Sequence, residues 1–197
     1  MLLFPFFRKI PRAMNLIRVL FLLIFSLAFA KSGISAQSTL LPRLESGVSL
    51  DLAEHRKLTL SDINYQLEFT LPANHRDPIP ARGIVSFTLS DASQPLVFDF
   101  LEGHNNLSSV EVNGKDSDYE AVLEHLVIPA EELIAGRNNI QIQFFSGDSS
   151  LNRNPDFLYT LFVPDRARSA FPLFDQPNLK ATFDPVSYTH LTLPTKA

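Results

Sequence analysis

Apolar and polar residues alternate along several short stretches of this chain. The clearest stretch is residues 62–71, in which every second side chain is apolar: Ile63, Tyr65, Leu67, Phe69 and Leu71. A period of two places these side chains on one face of a β-strand. Shorter apolar or alternating stretches predict further strands over residues 84–89, 96–101, 110–112, 123–128, 140–144 and 157–163.

Turn signals separate these predicted strands. Residues 72–80 (PANHRDPIP) form a turn-rich connection, and Asn113-Gly114 is the strongest short hairpin signal in the chain. Residues 130–135 are expected to make one helical turn that ends at Gly136. Many short strands at close spacing predict an all-β fold, either an antiparallel β-sandwich or a curved open sheet.

The residues that precede the first clear strand show little alternation of apolar and polar side chains. We expect residues 37–56 to form a lead-in with a first short strand around residues 48–52.

The first 36 residues have the features of an export signal. Basic residues precede a largely apolar run of twelve residues at 19–30, and cleavage sites follow at Ala30 and Ala36, with Met14 as an alternative start. A membrane anchor is the rival interpretation, but spanning a bilayer takes about 20 apolar residues, so the run is too short. We therefore expect a signal peptide over 1–36 and an exported chain, periplasmic, cell-surface or secreted, without a membrane span after cleavage.

Composition and charge exclude several kinds of function. The net charge is -4 and no basic run follows the first 20 residues, so nucleic acid is not an expected partner. Cysteine is absent, which removes thiol nucleophiles, thiolate zinc sites and disulfides. Fourteen prolines, seven glycines and 17 phenylalanines favour strands joined by stiff turns.

No known catalytic or metal-binding motif occurs in the sequence. The chain has neither the His-Glu-x-x-His pattern of zinc peptidases nor the Gly-x-Ser-x-Gly elbow of serine hydrolases. We expect every histidine to be a solvated loop or strand residue, because histidine is usually at least partly exposed. The five histidines are His55, His75, His104, His125 and His190.

The most distinctive stretch covers residues 156–183 and reads DFLYTLFVPDRARSAFPLFDQPNLKATF. An apolar strand precedes Asp165, which can cap a short turn that carries Arg166 and Arg168. The segment 171–177, FPLFDQP, is a loop stiffened by two prolines. A stiff loop rich in aromatic and charged residues suits a surface held against a neighbouring domain.

This stretch resembles the Asp-x-Arg…Phe-Pro-x-Phe-Asp-x-Pro-x-x-Lys-Ala-x-Phe pattern of the zinc aminopeptidases related to aminopeptidase N. Three upstream stretches, at 65–67, 96–100 and 128–138, resemble the same family's amino-terminal domain in the same order. The likeness covers about residues 46–183, and we expect the domain to span 37–183. The matching residues in the distinctive stretch are Arg168, Phe171, Pro172, Phe174, Asp175, Pro177, Lys180, Ala181 and Phe183.

The resemblance implies a saddle-like β-sandwich packed against a thermolysin-like catalytic domain of the same full-length chain. In the family, that domain holds a His-Glu-x-x-His…Glu zinc site, where a zinc-bound water attacks the amino-terminal bond of a peptide substrate. Because this chain lacks that motif, we expect no cofactor here, zinc in the missing domain, and no activity from the fragment alone. The residues expected to form the interdomain motif are Asp165, Arg166, Arg168, Phe171, Pro172, Phe174, Asp175, Gln176, Pro177 and Lys180.

Two positions depart from the family pattern. Leu161 and Val163 stand where the family often places a Gln and an acidic residue that hold the free amine of the substrate. Their side chains cannot accept hydrogen bonds. We therefore expect either a different anchor for the amine or a changed specificity.

The role of the motif's side chains has two open interpretations. In the first, the charged side chains of the motif form surface ion pairs, each of which stabilises the fold by about 0–1 kcal/mol. In the second, Arg168 and Asp175 form a buried ion pair, and loss of one partner would destabilise the fold by about 3–5 kcal/mol. Phe171 and Phe174 are expected to be packing residues rather than substrate contacts, because Phe is readily buried.

Two functions from other classes stay open beside the peptidase domain. One is a free-standing extracytoplasmic β-sandwich that binds protein or glycan, and the other is a non-catalytic scaffold relative of the family. The downstream coding sequence separates them: an intact zinc motif selects the peptidase, a missing motif the binding module, and a degraded motif the scaffold.

The family pattern stops after Phe183. Asp184-Pro185 is expected to interrupt the strand that begins at Ala181, and the final residues VSYTHLTLPTKA resemble translated adapter sequence at the end of an assembled fragment. We therefore expect that residues 184–197 are not native and that the native chain continues.

Resequencing of the locus tests this expectation. The reading frame should continue past residue 183 with a sequence that differs from residues 184–197. A verified stop codon after Ala197 in independent DNA would contradict the hypothesis.

Overall fold

The computed structural model describes residues 41–154 and 157–189. The predicted signal peptide over 1–36 and the last part of the predicted tail, residues 190–197, lie outside these ranges. Within them, no helix is both long enough and apolar enough to cross a membrane.

A helix stands where the sequence suggested a short strand. Helix α1 (Leu50–Thr59) begins after Ser49, whose hydroxyl accepts a hydrogen bond from the backbone N–H of Leu52 at 3.2 Å. The strand predicted at 48–52 is therefore wrong, because the buried positions follow the period of a helix. Those positions are Leu52, Ala53, Arg56 and Thr59.

Eleven strands follow α1 in the described residues. The other strands predicted from the sequence are confirmed, with ends displaced by up to five residues. Their bounds are β1 (Leu60–Leu71), β2 (Ile79–Leu89), β3 (Leu96–Asp99), β4 (Leu107–Val112), β5 (Lys115–Asp116), β6 (Glu120–Val122), β7 (His125–Ile128), β8 (Gly136–Ser146), β9 (Leu151–Arg153), β10 (Leu158–Thr160) and β11 (Ala181–Thr189).

The predicted turns have mixed outcomes. Asn113-Gly114 joins β4 to β5 with φ of 52° and 80°, which confirms the hairpin, since a tight hairpin turn of this type requires positive φ at both central residues. The helical turn predicted at 130–135 is a shorter 3₁₀ turn, Ala130–Glu132, and Gly136 opens β8 instead of ending the turn.

The strands form three sheets. The largest has the order β11-β1-β2-β8-β4-β5, a second has β3-β7-β6, and β9 pairs with β10. All described pairings are antiparallel except that of β1 with β11. The all-β fold is therefore confirmed, with a largest sheet that is mixed rather than purely antiparallel.

Strand β11 continues past Asp184-Pro185, where an interruption was expected. Pro185 lies opposite Leu67 in an unbroken parallel register that runs to Thr189. A proline lacks the backbone N–H, and β11 is the edge strand of its sheet, the position at which a sheet tolerates proline. The expected interruption is therefore wrong, while the native origin of residues 184–197 stays a hypothesis.

The two larger sheets share one hydrophobic core. Phe87 and Ile140 from the six-stranded sheet meet Phe98 and Leu126 from the three-stranded sheet, and all four are fully buried. The segment 167–174 adds its own apolar side chains to this core. Burial of apolar surface stabilises such a core by about 25 cal/mol per Å². The segment 167–174 therefore contributes to the stability of the fold.

Candidate functional site

Most of the FPLFDQP segment, 171–177, lies inside the domain. The ring of Phe174 stacks on Phe98 with centroids 4.6 Å apart, and the ring of Phe171 meets Phe162 edge to face at 5.7 Å. Both rings of the motif are 5% exposed, as expected for packing residues. Pro177, at the end of the segment, is exposed.

Backbone hydrogen bonds fix this segment to strand β3. The backbone N–H of Asp99 donates to the carbonyl of Leu173 at 2.7 Å, and the N–H of Leu173 donates back to the carbonyl of Asp99 at 3.1 Å. The next N–H, that of Phe174, donates to the hydroxyl of Tyr65 at 3.0 Å. The segment is therefore an irregular extension of the three-stranded sheet, held from the facing sheet by Tyr65.

A fully buried carboxylate, Asp99, lies at the centre of this arrangement. Arg56 of α1 donates two hydrogen bonds to it, from Nη2 to Oδ1 at 2.7 Å and from Nη1 to Oδ2 at 2.8 Å. The backbone N–H of Asp175 donates to Oδ2 at 2.8 Å, and Nδ1 of His125 lies 3.0 Å from Oδ1. We call Arg56, Asp99, His125 and Gln176 the Asp99 cluster.

The contacts of His125 fix its protonation state. Nε2 lies 2.8 Å from the backbone carbonyl of Glu45, which can only accept, so Nε2 carries a hydrogen. An ionised Asp99 also accepts only, so Nδ1 carries a hydrogen as well. The side chain is therefore an imidazolium, and its 1% exposure overturns the expectation that this histidine is solvated.

The pKa values of the two groups agree with this assignment. Burial raises the pKa of Asp99, but the hydrogen bond from His125, the charge and hydrogen bonds of Arg56, and the N–H of Asp175 together hold it below its ordinary value. Burial lowers the pKa of His125, but the hydrogen bonds to Asp99 and Glu45 and the charge of Asp99 outweigh it and raise that pKa above 6.5.

Gln176 ties the motif to helix α1. Its side-chain nitrogen donates to the carbonyl of Ala53 at 2.8 Å, and its oxygen accepts from Nη1 of Arg56 at 3.3 Å. The guanidinium of Arg56 also lies over the ring of Phe174, 5.4 Å from its centroid. The Nε atom of Arg56 is buried and has no hydrogen-bond partner within the described residues. An unsatisfied buried donor of this kind lowers the stability of the fold by about 1–3 kcal/mol.

Arg168 and Asp175 do not pair through their side chains. The carboxylate of Asp175 accepts from the backbone N–H of Arg168 at 3.1 Å. The guanidinium of Arg168 instead contacts the exposed Asp165 at 3.3 Å and the half-buried Glu124 at 3.6 Å. Of the two open interpretations, the surface ion pair therefore describes Arg168, and the buried brace between Arg168 and Asp175 is not formed. The buried ion pair of this region is Arg56–Asp99, to which Asp175 contributes its backbone N–H.

The remaining residues of the motif face solvent. Leu161 is 49% exposed and Val163 is 75% exposed, so both departed substrate-anchor positions lie at the surface of this chain. The other exposed members are Asp165, Arg166, Pro177 and Lys180.

The described residues do not fit a zinc ion. Residues 41–154 and 157–189 contain no group of three or more His, Asp or Glu side chains that could hold a metal. Both ring nitrogens of His125 are occupied by Asp99 and the Glu45 carbonyl, so this imidazole has no lone pair to offer. Apart from Nε of Arg56, the polar groups of the Asp99 cluster are satisfied by one another and by backbone groups.

Sequence reasoning missed the Asp99 cluster. The available signal was an acidic residue in the apolar stretch LVFDFL, because a carboxylate in a buried strand requires donors. Its partners Arg56 and His125 lie 43 and 26 residues away, and no local pattern identifies them.

Replacing Arg56 by Met removes one partner of a buried ion pair. We expect the free energy of unfolding to fall by about 3–5 kcal/mol, because Asp99 stays buried and loses two hydrogen bonds. Urea unfolding followed by circular dichroism measures this. The matched control is Arg166→Met, at an exposed arginine, which should change stability by no more than about 0.5 kcal/mol. Equal effects of the two variants would show that the ion pair is dispensable.

The protonation of His125 predicts a pH dependence of stability. Its pKa is higher in the folded chain than the ordinary 6.5, so its contribution is complete below pH 6.5 and is lost as pH rises through the folded-state pKa. The unfolding free energy should therefore fall as pH rises above 6.5, until the pH has passed the folded-state pKa of His125. His55, whose pKa is lowered by burial and by Arg56, titrates below this window.

His125→Gln is the control for that measurement, because the amide cannot titrate. It should be less stable than the wild type at pH about 6 and should lose the pH-dependent part of the curve. An unchanged slope in this variant would assign the pH dependence to another group.

The fold is shared with solved zinc metallopeptidases and leukotriene A4 hydrolases. Yeast LTA4 hydrolase in complex with bestatin has a TM-score of 0.59 at 18% identity, over 84% of this chain and 27% of the hydrolase. Native leukotriene A4 hydrolase from Saccharomyces cerevisiae has a TM-score of 0.58 at 17% identity, over 68% of this chain and 24% of the hydrolase. An M1 zinc metallopeptidase from Deinococcus radiodurans has a TM-score of 0.52 at 18% identity, over 64% of this chain and 31% of the peptidase.

This chain spans between 24% and 31% of the length of those three structures. No protein-family profile and no curated protein sequence matches it. Structural similarity at these identities concerns the fold, and it agrees with the fold that the motif at 168–183 implies. The chain has the fold of the amino-terminal domain of the M1 zinc metallopeptidases.

Proposed function

We propose that this chain is the non-catalytic amino-terminal domain of an exported M1-type zinc metallo-aminopeptidase, an enzyme that removes amino-terminal residues from peptides. The observation that carries the proposal is the agreement of two independent features, the fold and the motif at 168–183. The fold is shared with M1 peptidases at 16–18% identity. The motif residues Phe171, Phe174 and Gln176 lie in the core of that fold and help to define it.

The catalytic groups belong to polypeptide outside this chain under this proposal. A catalytic zinc site takes three protein ligands and a water, and the described residues offer no such group. The chain covers at most 31% of the three solved structures compared above, which leaves room for a separate zinc-bearing domain. Zinc in that domain would supply an activated water for peptide hydrolysis.

The exposed side chains of Leu161 and Val163 bear on substrate binding. Under this proposal they replace hydrogen-bond acceptors for the peptide's free amine, and apolar side chains leave that ammonium without a partner here. We infer that acceptors in the second domain hold the amine, or that the enzyme prefers substrates for which this contact is weaker.

The full-length gene tests the proposal. Its product should contain a His-Glu-x-x-His…Glu motif, bind stoichiometric zinc and hydrolyse amino-acid amides, and the 197-residue chain alone should not. The matched control is the full-length protein with the glutamate of His-Glu-x-x-His replaced by Gln, which should keep zinc and lose activity. The mass of the exported product should place its first residue near Lys31 or Gln37.

Three results would contradict this function. A full-length gene without a zinc motif favours the free-standing binding module, and a degraded motif favours the non-catalytic scaffold. Activity from the 197-residue chain alone would show that the catalytic groups are not in a separate domain.

A further inference from the structure

Residues 41–47, which precede helix α1, lie against the domain without forming a helix or a strand. We call them the strap. The N–H of Gly47 donates to Oε2 of Glu124 at 2.8 Å, and the N–H of Leu41 donates to the side-chain oxygen of Gln94 at 3.4 Å. Both partners lie at least 53 residues later in the chain, so tertiary contacts hold the strap in place.

A third contact of the strap depends on a proton. The carbonyl of Glu45 lies 2.8 Å from Nε2 of His125, and Oδ1 of Asp99 lies 3.0 Å from Nδ1 of the same ring. Both partners only accept hydrogen bonds, so the imidazolium satisfies both with its two N–H groups. A neutral imidazole has one N–H and one lone pair. After loss of the proton, one of the two acceptors therefore faces a lone pair.

The carboxylate of Asp99 keeps the remaining hydrogen. A hydrogen bond to a charged acceptor is roughly twice as strong as one between neutral groups. Arg56 and the backbone N–H of Asp175 also hold Asp99 in place. The strap, in contrast, lies outside the helices and strands of the fold. The repulsion between the Nε2 lone pair and the Glu45 carbonyl is therefore relieved by movement of the strap.

The charged groups around His125 act in opposite directions. Burial lowers the pKa of His125, and the charge of Arg56 from α1 also lowers it. The hydrogen bonds to Asp99 of β3 and to the carbonyl of Glu45, together with the charge of Asp99, raise this pKa above 6.5. From the motif, Asp175 directs its backbone N–H at Asp99. The ionised carboxylate of Asp99 thus stabilises the proton that the strap requires.

The end of the strap next to α1 is fastened in another way. The carboxylate of Glu124, which accepts from the N–H of Gly47, also contacts Arg168 at 3.6 Å. These contacts do not involve the titrating ring. Gly47 has a φ of 77°, a conformation that glycine adopts without strain and from which its backbone can turn. We therefore expect residues 41–46 to move while Gly47 stays in place.

We propose that the strap is a pH-sensitive closure: the protonated form of His125 holds residues 41–46 on the domain, and the neutral form releases them. In the released state water can donate a hydrogen bond to the free ring nitrogen, which the carbonyl of Glu45 cannot do. The inference goes beyond the proposed function and does not rest on it, because all the groups involved lie in this chain.

Cysteine labelling in the 197-residue chain tests this inference, because the chain has no cysteine of its own. Leu44→Cys places a thiol in the strap next to Glu45, and the matched control Ile84→Cys places one on β2. Both native side chains are half-buried. Each rate of reaction with a maleimide is divided by the rate of the same variant in urea at the same pH, which removes the pH dependence of thiolate formation.

We expect the normalised rate at position 44 to rise at least about fivefold from pH about 6 to the pH at which it stops changing, because the closed strap loses a hydrogen bond. The rate at position 84 should stay constant. The midpoint should coincide with the titration of His125, followed by nuclear magnetic resonance of its ring nitrogens. Pro42→Cys, also at a half-buried position, gives the same readout if Leu44→Cys does not fold.

The variant His125→Gln is the control for the cause of the movement. Its amide does not titrate, so the normalised rate at position 44 should be independent of pH in this background. A rise that persists in His125→Gln would assign the movement to another group and overturn the inference.

Two further results would contradict the closure. A normalised rate at position 44 that does not change with pH in the otherwise native chain would show that the strap does not respond to His125. Equal rises at positions 44 and 84 would show a general loosening of the fold instead of a local release.

Discussion

The structure depends on one buried carboxylate. Asp99 has no exposed surface, and an ion placed there without donors would cost several kcal/mol. Its donors come from three separate parts of the chain: Arg56 on α1, His125 on β7 and the backbone of Asp175 in the motif. Satisfying this one charge therefore fixes the helix, the three-stranded sheet and the motif relative to one another.

The motif acquires its stiffness from these contacts as well as from its prolines. Its aromatic rings fill the core between the sheets, and its backbone pairs with the end of β3. A proline-rich aromatic loop suits either a surface or an interior, and composition does not distinguish the two. The deciding features are the hydroxyl of Tyr65 and the carboxylate of Asp99, which accept backbone N–H groups that a surface loop would direct to water.

Local sequence signals predicted the local parts of the fold. Alternation located the strands, and Asn113-Gly114 located a hairpin, because both depend on residues that are adjacent in sequence. The prediction failed at α1, where the N-cap Ser49 was the available signal, and at His125, whose burial depends on a carboxylate 26 residues away. The motif was enough to predict the fold from the sequence. The Asp99 cluster, which holds the motif in place, could be identified only from contacts in the structure.

The spread of the Asp99 donors along the chain has a consequence for the order of folding. A chain that emerges amino end first presents Arg56 and Asp99 early, but Asp175 and Gln176 close the arrangement from up to 120 residues later. Contacts of such long sequence separation form slowly, because the loop between them must close first. The contacts that Asp175 and Gln176 make with Asp99, Arg56 and Ala53 can therefore form only after residue 176 has been synthesised.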